Sequence, residues 1–387
     1  MTRAGPLLRK RWDIFCRVVD NLGDIGACWR LARTLSKHHG ATVRLWIDDP
    51  SVFIHLCPQA ESDSGSWHLD GVAIQAWTDS FPDVEPAHVV IEAFACDPPD
   101  SYVQAMARSD PCPLWINLEY LSAEAWVEDC HLKCSPHPTL PLLKYFFIPG
   151  FSAATGGLLR EPDLLVERDR YLTRPGMRQS FMHGLGLGGL PRSTLLVSLF
   201  GYEQPALPEL LEIWAEGEES VALLVPEGRI VPDVARFFGA AALHAGMRRE
   251  RGRLIAQVLP FSPQEAYDRL LWSCDLNFVR GEDSFVRAQW AARPFVWHIY
   301  PQDEDAHMHK LEAFIAYLCI GLDDRAASAL RKFWSAWNGH GSPASAWPSF
   351  RAALPLLGKH CAGWCESLAH REDLASDLVR FAKDRLK

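Results

Sequence analysis

The chain has 387 residues, 48% hydrophobic and 22% charged, with a formal net charge of −9. That balance describes a folded globular protein of about two domains and excludes a disordered chain. It also argues against a nucleic-acid surface, because neutralising phosphates needs clustered Lys and Arg. The basic clusters here, Arg9 to Arg11 and Arg248 to Arg253, are short and lack interleaved aromatics.

In chain order, Trp12 to Val19 reads as a strand and Gly26 to His38 as a helix. Thr42 to Ile47, Val72 to Trp77, Val89 to Phe94 and Leu114 to Leu118 read as further strands. Strands alternating with helical or loop stretches favour a parallel sheet covered on both faces. From Pro136 to Pro191 the pattern breaks into proline, glycine and charge, which suits an inter-domain connection.

A second α/β series follows. Its strands are Leu195 to Phe200, Val221 to Val225, Leu254 to Leu259, Asp275 to Val279 and Phe295 to Ile299. Its helices are Leu207 to Trp214, Pro232 to Ala242, Pro263 to Trp272 and Ser284 to Ala292. This is a doubly wound domain in sequence form. From His307 onward the chain reads as helical, with a last apolar-periodic segment from Cys361 to Leu386.

The apolar runs, such as Leu195 to Phe200 and Val221 to Val225, have strand length, and Met1 to Arg11 has no apolar signal-peptide segment. Eleven scattered cysteines suggest reduced thiols instead of a disulfide framework. A cytoplasmic protein without a membrane segment is the expectation.

Two stretches carry the chemistry. In Asp20-Asn21-Leu22-Gly23-Asp24-Ile25-Gly26, two carboxylates four residues apart fall where the first strand passes into the first helix. Ligands of open α/β sheets bind at the carboxyl ends of strands. Turn and N-cap duty is the alternative role for both aspartates. In Arg280-Gly281-Glu282-Asp283-Ser284-Phe285-Val286-Arg287-Ala288-Gln289, a strand end meets a helix start, where free backbone N–H groups suit a diphosphate. The same residues also suit a capped helix with acidic groups at its positive end.

Asp20 to Gly26, Ser198-Leu199-Phe200-Gly201-Tyr202, Arg280 to Trp290, and Phe295-Val296-Trp297-His298-Ile299-Tyr300-Pro301-Gln302 closely resemble the protein-arginine rhamnosyltransferases that modify elongation factor P, the EarP family. The likeness runs from Trp12 to the C-terminal helix. It implies a GT-B fold: two Rossmann-like doubly wound domains facing a cleft, with a C-terminal helix packing back on the first. The expected bounds are 1–180 for an acceptor-binding domain, 181–360 for a nucleotide-sugar-binding domain and 361–387 for the returning helix.

The resemblance also implies inverting transfer of L-rhamnose from dTDP-β-L-rhamnose to one arginine of elongation factor P, with no metal or other cofactor. Asp20 is then the general base, and Asp24 helps hold the acceptor arginine. Asp283 and Ser284 meet the diphosphate through helix-start N–H groups. Arg280 and Tyr202 add charge and hydrogen bonding, and Glu282 bonds to ribose or sugar hydroxyls. Phe261 and Gln264 take the pyrimidine, with plain core as the alternative for Phe261. Arg280 is open between phosphate and pairing with Glu282 or Asp283. Two other functions fit the same features: a GT-B transferase with another nucleotide-sugar or acceptor, and a non-catalytic binding protein for the translation factor.

Three further motifs carry less weight. Gly184 to Gly189 precedes a strand, where a dinucleotide fingerprint would follow one. Asp303-Glu304-Asp305 with His307 and His309 fits acidic residues leading into a helix better than a metal cluster. Cys130, His131, Cys134 and His137 lack a second half-site for zinc.

Overall fold

The computed structural model describes residues 10–19, 22–57 and 66–386. The chain forms two compact units, Met1–Pro162 with Ala369–Lys387, and Asp163–Leu368.

The first unit contains β1 (Arg11–Cys16), α1 (Leu22–His39), β2 (Thr42–Ile47), α2 (Pro50–Leu56), β3 (Ser66–Leu69), β4 (Val72–Ala76), β5 (Val89–Ala93), α3 (Asp100–Arg108), β6 (Leu114–Leu118), α4 (Trp126–Cys130), β7 (Cys134–Pro136) and β8 (Leu143–Phe147). Its sheet has the order β3-β4-β2-β1-β5-β6-β8-β7. The six inner strands pair in parallel, and β3 and β7 close the edges antiparallel. Every residue of β5 and β6 is buried. Strands covered on both faces need mainly apolar runs, and Glu92 of β5 and Asn117 of β6 are the polar exceptions. Phe15, Trp46, Tyr102 and Trp115 fill one face of the sheet.

The second unit contains α5 (Leu164–Thr173), α6 (Met177–Gly184), β9 (Leu195–Leu199), α7 (Leu207–Glu216), β10 (Val221–Pro226), α8 (Val231–Phe237), β11 (Arg248–Arg251), β12 (Leu254–Leu259), α9 (Gln264–Ser273), β13 (Leu276–Arg280), α10 (Asp283–Ala291), β14 (Phe295–His298), α11 (Ala306–Leu318), α12 (Asp324–Trp337) and α13 (Pro343–Ala369). Its sheet has the order β11-β12-β10-β9-β13-β14, parallel except for β11 at one edge. The chain then re-enters the first unit as α14 (Leu374–Arg385).

Several boundaries differ from the sequence expectation. β1 ends at Cys16, not Val19, and α1 starts at Leu22, before Gly26. The stretch from Pro136 to Pro191 is not mere connection, since it holds β8, α5 and α6. The division falls after Pro162 and not near 180, because α5 and α6 are anchored within the second unit. Tyr171 Oη and Ser273 Oγ lie 2.7 Å apart, Arg178 Nε donates to Ser273 O at 2.8 Å, and Met182 and Leu187 pack with Leu196 and Leu224. The return falls after Leu368 and not at 361, because Trp364 Nε1 still donates to Gln289 Oε1 at 2.6 Å. The expected single segment Cys361 to Leu386 is therefore two helices. The break lies at Asp373, whose carboxylate caps α14 by accepting from Ala375 and Ser376 N–H.

Candidate active site

In the second unit, the expected donor-side residues follow the carboxyl ends of parallel strands: Tyr202 after β9, Phe261 and Gln264 after β12, and Arg280 to Ser284 at the β13–α10 junction. That edge is where doubly wound sheets bind ligands. Gly281 turns the chain at φ +59°, a conformation that a side chain would strain. Trp297 Nε1 on β14 donates to Gly281 O at 3.0 Å, and the Trp297 ring stacks on Phe285 at 3.8 Å. The turn is thus pinned from the neighbouring strand and from α10.

The Ser284 hydroxyl closes this turn. It accepts from Arg280 N–H at 3.0 Å and donates to Arg280 O. Ser284 Oγ is therefore engaged by the backbone. Arg280 ends β13 with its guanidinium 4.7 Å from the centroids of both Phe200 and Tyr202, and it is buried. This double cation–π contact is a packing partner that the sequence reading did not consider. Glu282 makes no side-chain cap; its Oε1 lies 3.1 Å from Lys310 Nζ on α11. The alternative of a carboxylate capping α10 therefore does not hold for Glu282.

Tyr202 is buried and donates its backbone N–H to His298 Nδ1 at 3.3 Å. Burial, reinforced by the nearby Arg280 charge, pushes the His298 pKa down to about 3. The imidazole is thus neutral at physiological pH, which leaves Nδ1 free to accept. Phe261 is half-buried, and its N–H donates to Glu227 Oε2 at 3.0 Å; Gln264 is buried at the start of α9. Phe261 is thus not plain core, since it lies in the loop after β12 with an accessible face.

In the first unit, Asp20 lies outside the described residues. Asp24 sits in the first turn of α1 and is buried. Its Oδ2 accepts from Val19 N–H at 2.9 Å and its Oδ1 from Tyr120 Oη at 3.3 Å. Tyr120 stacks on Phe94 at 4.3 Å. Phe94 and Ala95 carry φ of +58° and +52°, so the turn after β5 is backbone-strained. Asn117 stitches this turn to the end of β6, accepting from Ala95 N–H at 3.1 Å and donating to Glu119 Oε1. Asn117, Glu119, Tyr120 and Phe94 were missed from sequence. Glu119 and Tyr120 had one signal, their place directly after the buried strand Leu114 to Leu118; Asn117 lies inside that strand and Phe94 follows β5, so neither was marked.

The weaker motifs have structural partners. His131 Nδ1 accepts from Ile148 N–H at 3.0 Å, His137 Nδ1 from Leu140 N–H at 3.2 Å, and His307 Nδ1 from Gln302 N–H at 3.1 Å. Among the described residues there is no group of three or more His, Cys, Asp or Glu placed to hold a metal ion. Gly184 to Gly189 runs from the end of α6 toward β9. Among the described residues no helix is long and apolar enough to cross a membrane.

The family profile described as "Elongation-Factor P (EF-P) rhamnosyltransferase EarP" matches residues 12–383. The chain belongs to this family. It is 49% identical over 379 residues to a protein-arginine rhamnosyltransferase of Pseudomonas putida, covering 98% of this chain and all of that protein. It is also 49% identical over 375 residues to a protein-arginine rhamnosyltransferase of Pseudomonas aeruginosa, covering 97% and 99%. A solved structure on the structural basis for EarP-mediated arginine glycosylation of translation elongation factor EF-P superposes with a TM-score of 0.69 at 36% identity, covering 97% of this chain and 99% of that one. A glycosyltransferase from Rickettsia africae shares the fold at 8% identity, with a TM-score of 0.55. The architecture is GT-B, each unit being one of its Rossmann-like halves, and the chain is an enzyme of the glycosyltransferase class.

Proposed function

We propose that this enzyme moves L-rhamnose from dTDP-β-L-rhamnose to one arginine side chain of elongation factor P, with inversion and without a metal ion. The observation that carries this reading is the family match over residues 12–383, joined to the gathering of Tyr202, Phe261 and the Arg280–Ser284 turn at one edge of a parallel sheet.

A guanidinium is a poor nucleophile, because its pKa exceeds about 12 and its lone pairs are delocalised. Asp20 therefore acts as the base. It takes a proton from an arginine Nη as that nitrogen attacks the anomeric carbon, the C1–O bond to phosphate breaks, and its electron pair leaves on the diphosphate. Asp24 holds the cation, with Tyr120 and the Val19 N–H setting its orientation. On the donor side, Phe261 stacks on the thymine, Gln264 reads its edge, and Tyr202 and Arg280 attend the diphosphate. Asp283 and Ser284 contribute helix-start N–H groups, and Glu282 accepts from a sugar or ribose hydroxyl.

Calorimetry with dTDP, UDP and GDP tests the donor assignment: dTDP should bind at least about tenfold more tightly than the others, equivalent to ~1.4 kcal/mol. Equal affinities would contradict it. Transfer should proceed at the same rate after exhaustive chelation of metals; a collapse restored by a divalent cation would overturn the metal-free mechanism.

A further inference from the structure

Glu282 raises a physical problem. A carboxylate at the diphosphate turn repels the ligand that the helix-start N–H groups would attract. Yet its Oε1 lies 3.1 Å from Lys310 Nζ, with both side chains largely buried. The other oxygen, Oε2, is buried and has no hydrogen-bond partner among the described residues. Burying an acceptor without a donor is costly, so an orphaned oxygen marks a place where a ligand donor fits.

The placement of Lys310 follows from packing. It lies on α11, whose Phe314 meets Phe285 of α10 edge-on at 4.7 Å and Trp297 of β14 at 6.0 Å. Phe285 and Trp297 are the same two rings that pin the Gly281 turn. α11 is therefore held against the elements that shape the turn, and Lys310 reaches Glu282 from a fixed base.

We propose that Lys310 is a positioning residue of the donor site: it holds Glu282 by one oxygen, cancels its charge beside the diphosphate, and leaves the other oxygen to accept a hydroxyl of the nucleotide-sugar. This rests on the donor site proposed above. Lys310 acts through Glu282 and touches no reacting atom.

The test is calorimetry of the full chain with dTDP, with thermal melts confirming that each variant folds. Lys310→Met should weaken dTDP binding by about tenfold, because it strands the Glu282 charge. Lys310→Arg should stay within about threefold of the parent, since the charge is kept. Adding Glu282→Gln to Lys310→Met should recover most of the lost dTDP affinity, which a purely structural role for the pair would not do. Lys310→Gln carries the same predictions as Lys310→Met if the latter does not fold. Unchanged dTDP binding in Lys310→Met, or a double variant no better than the single, would overturn the proposal. If Phe261→Ala also leaves dTDP binding untouched, the donor site itself fails; if Phe261→Ala weakens binding and Lys310→Met does not, only the role of Lys310 fails.

Discussion

Asp24 shows how a candidate site side chain is set by its neighbours. Both its oxygens are held within the first unit, one by a backbone N–H and one by a tyrosine that stacks on Phe94. Tyr120→Phe keeps the stack and removes the hydrogen bond. It should lower kcat/KM for the protein acceptor about tenfold, the worth of a hydrogen bond to a charged group, and leave dTDP affinity unchanged in calorimetry. Asp20→Asn should abolish transfer, again without loss of dTDP binding; a large loss would contradict its assignment as base. His298 gives a pH signature. Its folded pKa, about 3, lies below the ordinary value of 6.5, so between these values the unfolded chain binds more protons and stability falls as pH falls. At pH 5 this removes ~2 kcal/mol, and His298→Asn should lose less melting temperature between pH 7 and pH 5 than the parent. Tyr202, Arg280 and Glu282 were open to nomination from sequence because each lies in a contiguous motif at a strand end, Ser198 to Tyr202 or Arg280 to Trp290. Lys310 was not, since it meets Glu282 only through the packing of α11.

At the scale of elements, α10 matters most, because its start forms the turn to which the proposed function assigns the diphosphate. It is clipped to α9 by Arg287, which donates from Nε and Nη2 to Asp268 at 2.8 and 2.7 Å, with both side chains buried. Breaking a buried pair leaves an uncompensated charge, so Asp268→Ala should reduce stability in urea denaturation by about 3–5 kcal/mol. A loss under about 1 kcal/mol would show that the clip contributes little. The buried parallel strands were readable as apolar runs, and β2, β6 and β12 have the expected ends. β11 was not readable, because Arg248-Arg249-Glu250-Arg251 is wholly exposed and pairs on one edge only, so no apolar pattern marks it. β8 lies beside the edge strand β7, with only Phe147 fully buried, and its apolar pattern was lost among prolines. The prolines at 348 and 355 did not break α13.

At the scale of the whole molecule, two GT-B halves were visible as two successive α/β series, but the exact crossing points depended on tertiary contacts that no periodicity reports. The returning segment illustrates this. α14 packs Phe381 against Tyr145 and Phe147 of β8, and Gly157, at φ +70°, comes so close to Glu372 O that an added Cβ would lie 2.6 Å away. Gly157→Ala should therefore destabilise the first unit by more than ~1 kcal/mol. Intact-mass analysis of elongation factor P incubated with this enzyme and dTDP-β-L-rhamnose reads the proposed transfer itself. The expected result is the gain of a single deoxyhexose, located on one arginine by fragmentation. An unchanged mass in the presence of chemically intact donor would contradict it.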